Sequence, residues 1–190
     1  MDYRLSILIP TLASRKDKCL KLVDKLLDQV ERNLFTDFVE IVTLYDSGEK
    51  SIGTKRNELV RMARGSYVAF FDDDDEPADN YVQKLMEGVF KGVDCCSLKG
   101  VITWDGERPE VFEHSIRYNA YATTENYVKY ERFPNHLNCI KKSIALQFPF
   151  PEINHGEDTD YAHQLFKSGL IKNEYYIPEV LYHYKFATRK

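Results

Sequence analysis

Residues 65–77 read GSYVAFFDDDDEP, an apolar run that passes directly into four aspartates. The run at residues 67–71 predicts a short buried strand. Carboxylates piled at its end repel one another. Two of them about 5 Å apart cost roughly 3 kcal/mol at an effective dielectric near 20. If the backbone stays extended, side chains alternate, so Asp72 and Asp74 share one side and Asp73 and Asp75 the other. Each pair is then an acidic claw that a hard divalent cation with oxygen ligands would relieve. The competing reading is a solvated loop leading into the next helix, with Pro77 in a first turn and acids near the helix N-terminus. Position favours the cation, because ligands of open α/β sheets bind at the C-terminal edge of the strands.

Outward from this stretch the chain alternates. Residues 5–10 (LSILIP) read as a buried first strand. From Arg15 to Arg32, apolar side chains recur at three- and four-residue steps (Cys19, Leu22, Val23, Leu26, Leu27, Val30), the pattern of an amphipathic helix. Residues 38–45 (FVEIVTLY) predict a second strand, and 54–65 a second helix with Gly65 as its stop. Residues 77–90 predict a third helix and 94–104 (DCCSLKGVITW) a fourth strand. This rhythm implies a mainly parallel sheet with helices on both faces, a Rossmann-like α/β unit. Residues 105–156 carry many aromatics and prolines without clear period. A helix returns within 156–169, and one or two short strands close the chain within 174–186.

The chain of 190 residues suits one domain (1–190), with a nucleotide-binding half at 1–104 and a more variable half at 105–190. A net charge of −4 without a basic run argues against a nucleic-acid coat protein. The four cysteines form no CxxC pair, which argues against a zinc site and for a reducing, cytoplasmic compartment. Adjacent Cys95 and Cys96 read as small buried residues. The N-terminus does not read as a signal peptide, and no stretch is long and apolar enough to span a membrane.

In a parallel sheet the ends of the first three strands lie on one edge, so Thr11, Asp46 and the aspartates would line one crevice. A hydroxyl and a carboxylate there could bind the base and ribose of a nucleotide, though Asp46 also reads as a turn residue. Lys55 and Arg56 open the second helix. They are either a solvated face or cations reaching for phosphate or base. Glu157 and Asp158, in HGEDTDYA, open another helix as caps or as catalytic acids.

The segments LSILIPT, YDSGE, GTKRN...ARGSYVAFFDDDDEP, HLNCIKKSIA...FP and GEDTDYAHQLFKSG, in this order and spacing, resemble family 2 glycosyltransferases of the GT-A fold. The resemblance runs over nearly the whole chain. It implies inverting transfer of a sugar from a nucleotide donor, usually UDP-linked, to an acceptor hydroxyl, with a divalent metal, Mn²⁺ or Mg²⁺. It also implies that the second half is an acceptor-binding lobe. By position, Thr11, Asp46, Lys55, Arg56, Asp72 and Asp73 would serve the nucleotide-sugar, and Asp74 the metal. Asp158 would be the general base, with Glu157 positioning the acceptor or the base. His183 would be a further metal ligand or a packing residue. Trp104 and His136 would face the acceptor, a glycan or another hydroxyl-bearing molecule, or serve as a core aromatic and a turn residue. Leu12 departs from the family's pattern, which often has an aromatic after "PT". The rivals are a nucleotidyltransferase and a non-catalytic nucleotide- or metal-binding module. Against the first, PTLASRKDK lacks the glycine-rich grip on a triphosphate. Against the second, a pure binder has no use for Asp158.

Overall fold

In the computed structural model, residues 3–187 are described. β1 (Leu5–Leu12) is buried along nearly its whole length, as suits an apolar run inside a sheet covered on both faces. α1 (Lys16–Arg32), β2 (Val39–Asp46), α2 (Ile52–Met62) and β3 (Tyr67–Phe70) continue the predicted alternation. They are followed by β4 (Glu76–Pro77), α3 (Tyr81–Lys91), β5 (Cys95–Cys96), β6 (Leu98–Trp104), β7 (Glu107–His114) and β8 (Ala122–Thr123). The chain ends with β9 (Val128–Arg132), β10 (Ile140–Lys141), α4 (Lys142–Ala145), α5 (Glu157–Ser168), β11 (Glu174–Tyr175) and β12 (Val180–Phe186).

Two six-stranded sheets result, ordered β11-β5-β10-β3-β1-β2 and β4-β12-β6-β7-β9-β8. In the first, β2 and β3 flank β1 in parallel, and β10 enters antiparallel beside β3. Strand alternation sorts the core onto two faces. Leu5, Ile7 and Ile9 point with Tyr67, Ala69 and Phe71 toward α1 and α3. Leu8, Val68 and Phe70 point the other way, toward α2, α4 and α5. Each fully buried Leu, Ile or Phe contributes about 1.5–3 kcal/mol of burial, so this double-sided layer positions everything at its edge.

Residues 94–104 do not form one strand. Ser97 breaks the run: its N–H donates to the Tyr175 carbonyl at 3.0 Å and its hydroxyl accepts the Ile177 N–H at 2.7 Å. The chain thereby leaves the first sheet at β5 and joins the second at β6, and Cys95 and Cys96 are buried as expected. Both sheets draw strands from either side of residue 104. Gly65 also plays a different part from a helix stop. α2 ends at Met62, and a Cβ on Gly65 would lie 2.7 Å from the Ser6 nitrogen, so the glycine permits close passage over β1. All four cysteines are free and buried. Among the described residues no helix is long and apolar enough to cross a membrane.

Candidate active site

The three strand ends do share an edge: Thr11 is in register with Tyr45, Leu12 with Asp46, and Leu8 with Phe70. The acidic run beyond β3, however, is not extended. Asp75 N–H donates to the Asp72 carbonyl at 3.2 Å, closing a turn. The expected alternation is therefore corrected, because a turn pairs its ends where a strand pairs every second residue. Asp72 and Asp75 line one cavity, whereas Asp73 and Asp74 share Arg15, at 2.7 and 2.6 Å.

The side of the turn nearer β1 is saturated with partners. The Thr11 hydroxyl donates to Asp73. Burial outweighs this bond and the Arg15 charge, so the Asp73 carboxyl is raised. Lys55 is buried (4% exposed) and donates to Asp46 at 2.7 Å and to the Thr11 carbonyl at 2.9 Å. Burial raises the Asp46 carboxyl, but Lys55 and the Lys50 N–H more than offset it and hold the carboxyl low. Lys55 is therefore no solvated face. The helix that carries it begins at Ile52, capped by Ser51, whose hydroxyl accepts the Thr54 N–H at 3.1 Å.

Arg56, equally buried, turns the other way. It reaches Asp72 at 3.1 Å and pairs with Glu157 at the start of α5. Phe70 and Phe150 lie 5.8 and 5.7 Å from its guanidinium carbon. One cation thus ties the acidic turn to the second acidic centre, whose Glu157 lies 101 residues beyond Arg56 in the chain. Burial would raise the Asp72 carboxyl, but Arg56 and His136 hold it well below the usual carboxylate range. Asp75 differs. Burial and the Asp72 charge push it up to about 7, despite the Lys185 N–H at 2.8 Å and the Tyr182 hydroxyl at 2.7 Å.

Between the turn, α5 and the face of the second sheet lies a cavity of about 340 Å³. Asp72, Asp75, His136 and Asp158 line it on one side; Trp104, Phe112, Tyr130 and Tyr184 give it aromatic walls. Asp158 does not cap its helix: Gly156 is the N-cap and makes no side-chain cap bond, and its φ of 86° suits glycine. Asp158 instead keeps one oxygen on the Thr159 N–H at 2.8 Å and the other 4.0 Å from His136 Nδ1. His114, also on the wall, is pushed down to about 3 by burial and by His136 and Arg132 nearby.

Trp104, His136 and Asp158 are thus brought together, as are Thr11, Asp46, Lys55 and Asp73. His183 is not brought to Asp74 as a ligand. It is exposed on β12, in register with Glu76, while its neighbours Tyr182 and Tyr184 take the inner face. Among the described residues no three His, Cys, Asp or Glu side chains are already gathered as a metal cluster. The turn nevertheless fits a hard divalent cation: its donors are carboxylate oxygens, the Asp74 side chain is 42% exposed, and Asp75 is short of positive charge. Sequence reasoning missed Arg15, His114 and the inward tyrosines of β12. Arg15 had a signal, a basic residue just past the strand end in PTLASRKDK. The others come from sheet pairings that have no local signature.

No curated protein matches the chain. Among solved structures, S. aureus TarS 1–349 superposes with a TM-score of 0.61 at 15% identity, covering 96% of this chain and 60% of that one. The same protein in complex with UDP-GlcNAc gives 0.58 at 14%, covering 98% and 59%. The catalytic domain of Drosophila beta1,4galactosyltransferase 7 in complex with xylobiose gives 0.57 at 14%, covering 94% and 66%. The chain thus spans about 60% of the length of the TarS structure and shares the GT-A fold of these enzymes. The profile of glycosyl transferase family 2 matches residues 13–140, and the chain belongs to that family.

Proposed function

We propose that the protein is an inverting glycosyltransferase that moves a sugar from a nucleotide donor, a UDP-sugar, to an acceptor hydroxyl. The observation that carries this reading is the Arg56 bridge. It joins the acidic turn to the Glu157–Asp158 pair, so that donor-side carboxylates and a half-exposed carboxylate face one cavity. The neighbours whose structures hold UDP-GlcNAc, UDP and xylobiose support a nucleotide-sugar on one side and a glycan acceptor on the other. The four buried thiols fit the reducing cytoplasm.

The chain's own groups divide the work. Thr11 and Asp46 meet the nucleoside, and Lys55 keeps Asp46 ionised and in place. Asp72 and Asp73, anchored by Arg56 and Arg15, face ribose and sugar. Asp158 accepts the proton of the acceptor hydroxyl as that oxygen bonds the anomeric carbon and the bond to the diphosphate breaks on the opposite face. Glu157, tied to Arg56, fixes the start of α5 and so the position of Asp158. Asp74 would hold the Mn²⁺ or Mg²⁺, which as a Lewis acid stabilises charge on the leaving diphosphate. Trp104 and the tyrosines offer the acceptor apolar faces.

A screen of nucleotide-sugars by thermal shift and by transfer, each with Mg²⁺ or Mn²⁺ and with EDTA, tests this. A metal-dependent shift with UDP-sugars, and transfer from one of them, is expected. Melting temperatures indifferent to every nucleotide-sugar would contradict the reading.

A further inference from the structure

A buried imidazole ordinarily has a hydrogen-bond partner. His136 has none: it is 5% exposed, and among the described residues neither Nδ1 nor Nε2 is bonded. The ring is nonetheless firmly placed. Asn138 N–H donates to the Asn135 carbonyl at 3.2 Å, and Asn138 Oδ1 accepts the Asn135 N–H at 3.0 Å. Asn138 Nδ2 donates to the Cys96 carbonyl at 2.9 Å, and the His136 carbonyl accepts the Phe70 N–H at 3.3 Å. A turn pinned to both neighbouring strands thus aims an unsatisfied imidazole into the cavity.

Two carboxylates face it. Nε2 lies 3.7 Å from Asp72 Oδ2 and Nδ1 lies 4.0 Å from Asp158 Oδ2, both just beyond hydrogen-bond length. On the far side Arg56 joins Asp72 to Glu157, the chain neighbour of Asp158. These five residues form a loop of contacts that is open only at His136.

The geometry points to His136 as a positioning residue for Asp158. With substrate in the cavity, Nδ1–H donates to Asp158 Oδ2 while Oδ1 stays on the Thr159 N–H. The carboxylate is then fixed in one orientation, with lone pairs free for the acceptor hydroxyl. The inference rests on the reading of Asp158 as the base.

A double-mutant cycle tests it. His136→Ala is expected to lower turnover on the order of 10- to 100-fold, the scale of a misplaced catalytic group. Donor affinity should stay within about threefold, since uniform binding is untouched. His136→Asn, which keeps an N–H close to the Nδ1 position, should recover most of the loss. In an Asp158→Asn background the loss should vanish. A loss that adds in full to that of Asp158→Asn, or an Asn variant as impaired as the Ala variant, would overturn the assignment. A second arm needs no activity. The Nδ1 nitrogen resonance of His136, followed by NMR in the free protein and with UDP, should move on Asp158→Asn; an unmoved resonance overturns the contact. Wild-type protein that transfers no sugar would refute the functional reading instead, and the resonance would still decide whether the imidazole holds Asp158.

Discussion

The two sides of the acidic turn are built to opposite standards. Toward β1, Thr11, Asp46, Lys55, Arg15, Asp73 and Asp74 make a network in which each charge meets an opposite charge or a hydrogen bond. Toward the cavity, Asp75 is pushed up to about 7, and neither His136 nitrogen is bonded. The first side answers for much of the acidic run's repulsion with arginine and lysine. The second leaves Asp75 hydrogen-bonded but without a cation, and His136 without a hydrogen bond. A protein keeps unsatisfied buried groups where a ligand completes them, and this contrast separates a preorganised frame from the place where chemistry is expected.

Arg56 belongs to both sides, so its loss should break the comparison most. Arg56→Leu leaves Asp72 and Glu157 without their cation, and destabilisation of about 5 kcal/mol is expected, at the upper end for a broken buried pair. Chemical denaturation measures it; a loss below about 1 kcal/mol would mean that the bridge is not formed. Lys55→Met strips only the frame. It should cost about 3 kcal/mol by leaving Asp46 buried and unpaired. Asp46→Asn made in addition should recover part of that cost.

On the cavity side the sign reverses. The folded Asp75 carboxyl, near 7, sits above its unfolded value near 3.9. Between those values the folded state binds a proton that the unfolded state has released, so stability falls as pH rises through this window. Asp75→Asn should remove that slope. It should raise stability at pH 8 by roughly 2 kcal/mol, half the full linkage for such a shift, because the amide keeps only part of the Tyr182 and Lys185 hydrogen bonds. Near pH 4, where the wild-type carboxyl is protonated and only the lost hydrogen bonds count, the variant should be the less stable of the two by roughly 2 kcal/mol. Melting curves at both pH values decide it, and a wild-type protein equally stable at both would contradict the raised carboxyl. The smallest effect is expected at His183, which lies outside both networks. His183→Ala should change stability by less than about 0.5 kcal/mol and leave metal-dependent donor binding intact. A loss of that binding would restore His183 as a ligand.

Much of the frame was legible in the sequence, because it depends on local signals. Apolar periodicity gave α1 and α3 to within a few residues, and strand-end composition placed Thr11, Asp46 and the aspartates on one edge. The cavity was legible only in its ingredients. Residues 105–156 show no clear period, yet β7 pairs locally with β6 across Asp105–Gly106, both at positive φ, and β8 pairs locally with β9. Only the parallel step from β7 to β9 is longer, and the Asp-Gly turn was the signal overlooked. The pairing of Asp72 with Asp75 was misread because carboxylate spacing alone does not tell a turn from a strand; the deciding bond is a backbone one. His183 was misplaced by the same blindness to facing, since alternation along β12 sends Tyr182 and Tyr184 inward and the histidine out.

The central claim is that Asp158 takes the acceptor proton, and one comparison of rates tests it directly. Asp158→Asn keeps the size of the side chain and the Thr159 hydrogen bond but removes the basicity. With a UDP-sugar donor and its acceptor, sugar transfer should fall by roughly 10²-fold or more, while donor affinity and melting temperature stay close to wild type. Undiminished transfer by Asp158→Asn would contradict the account.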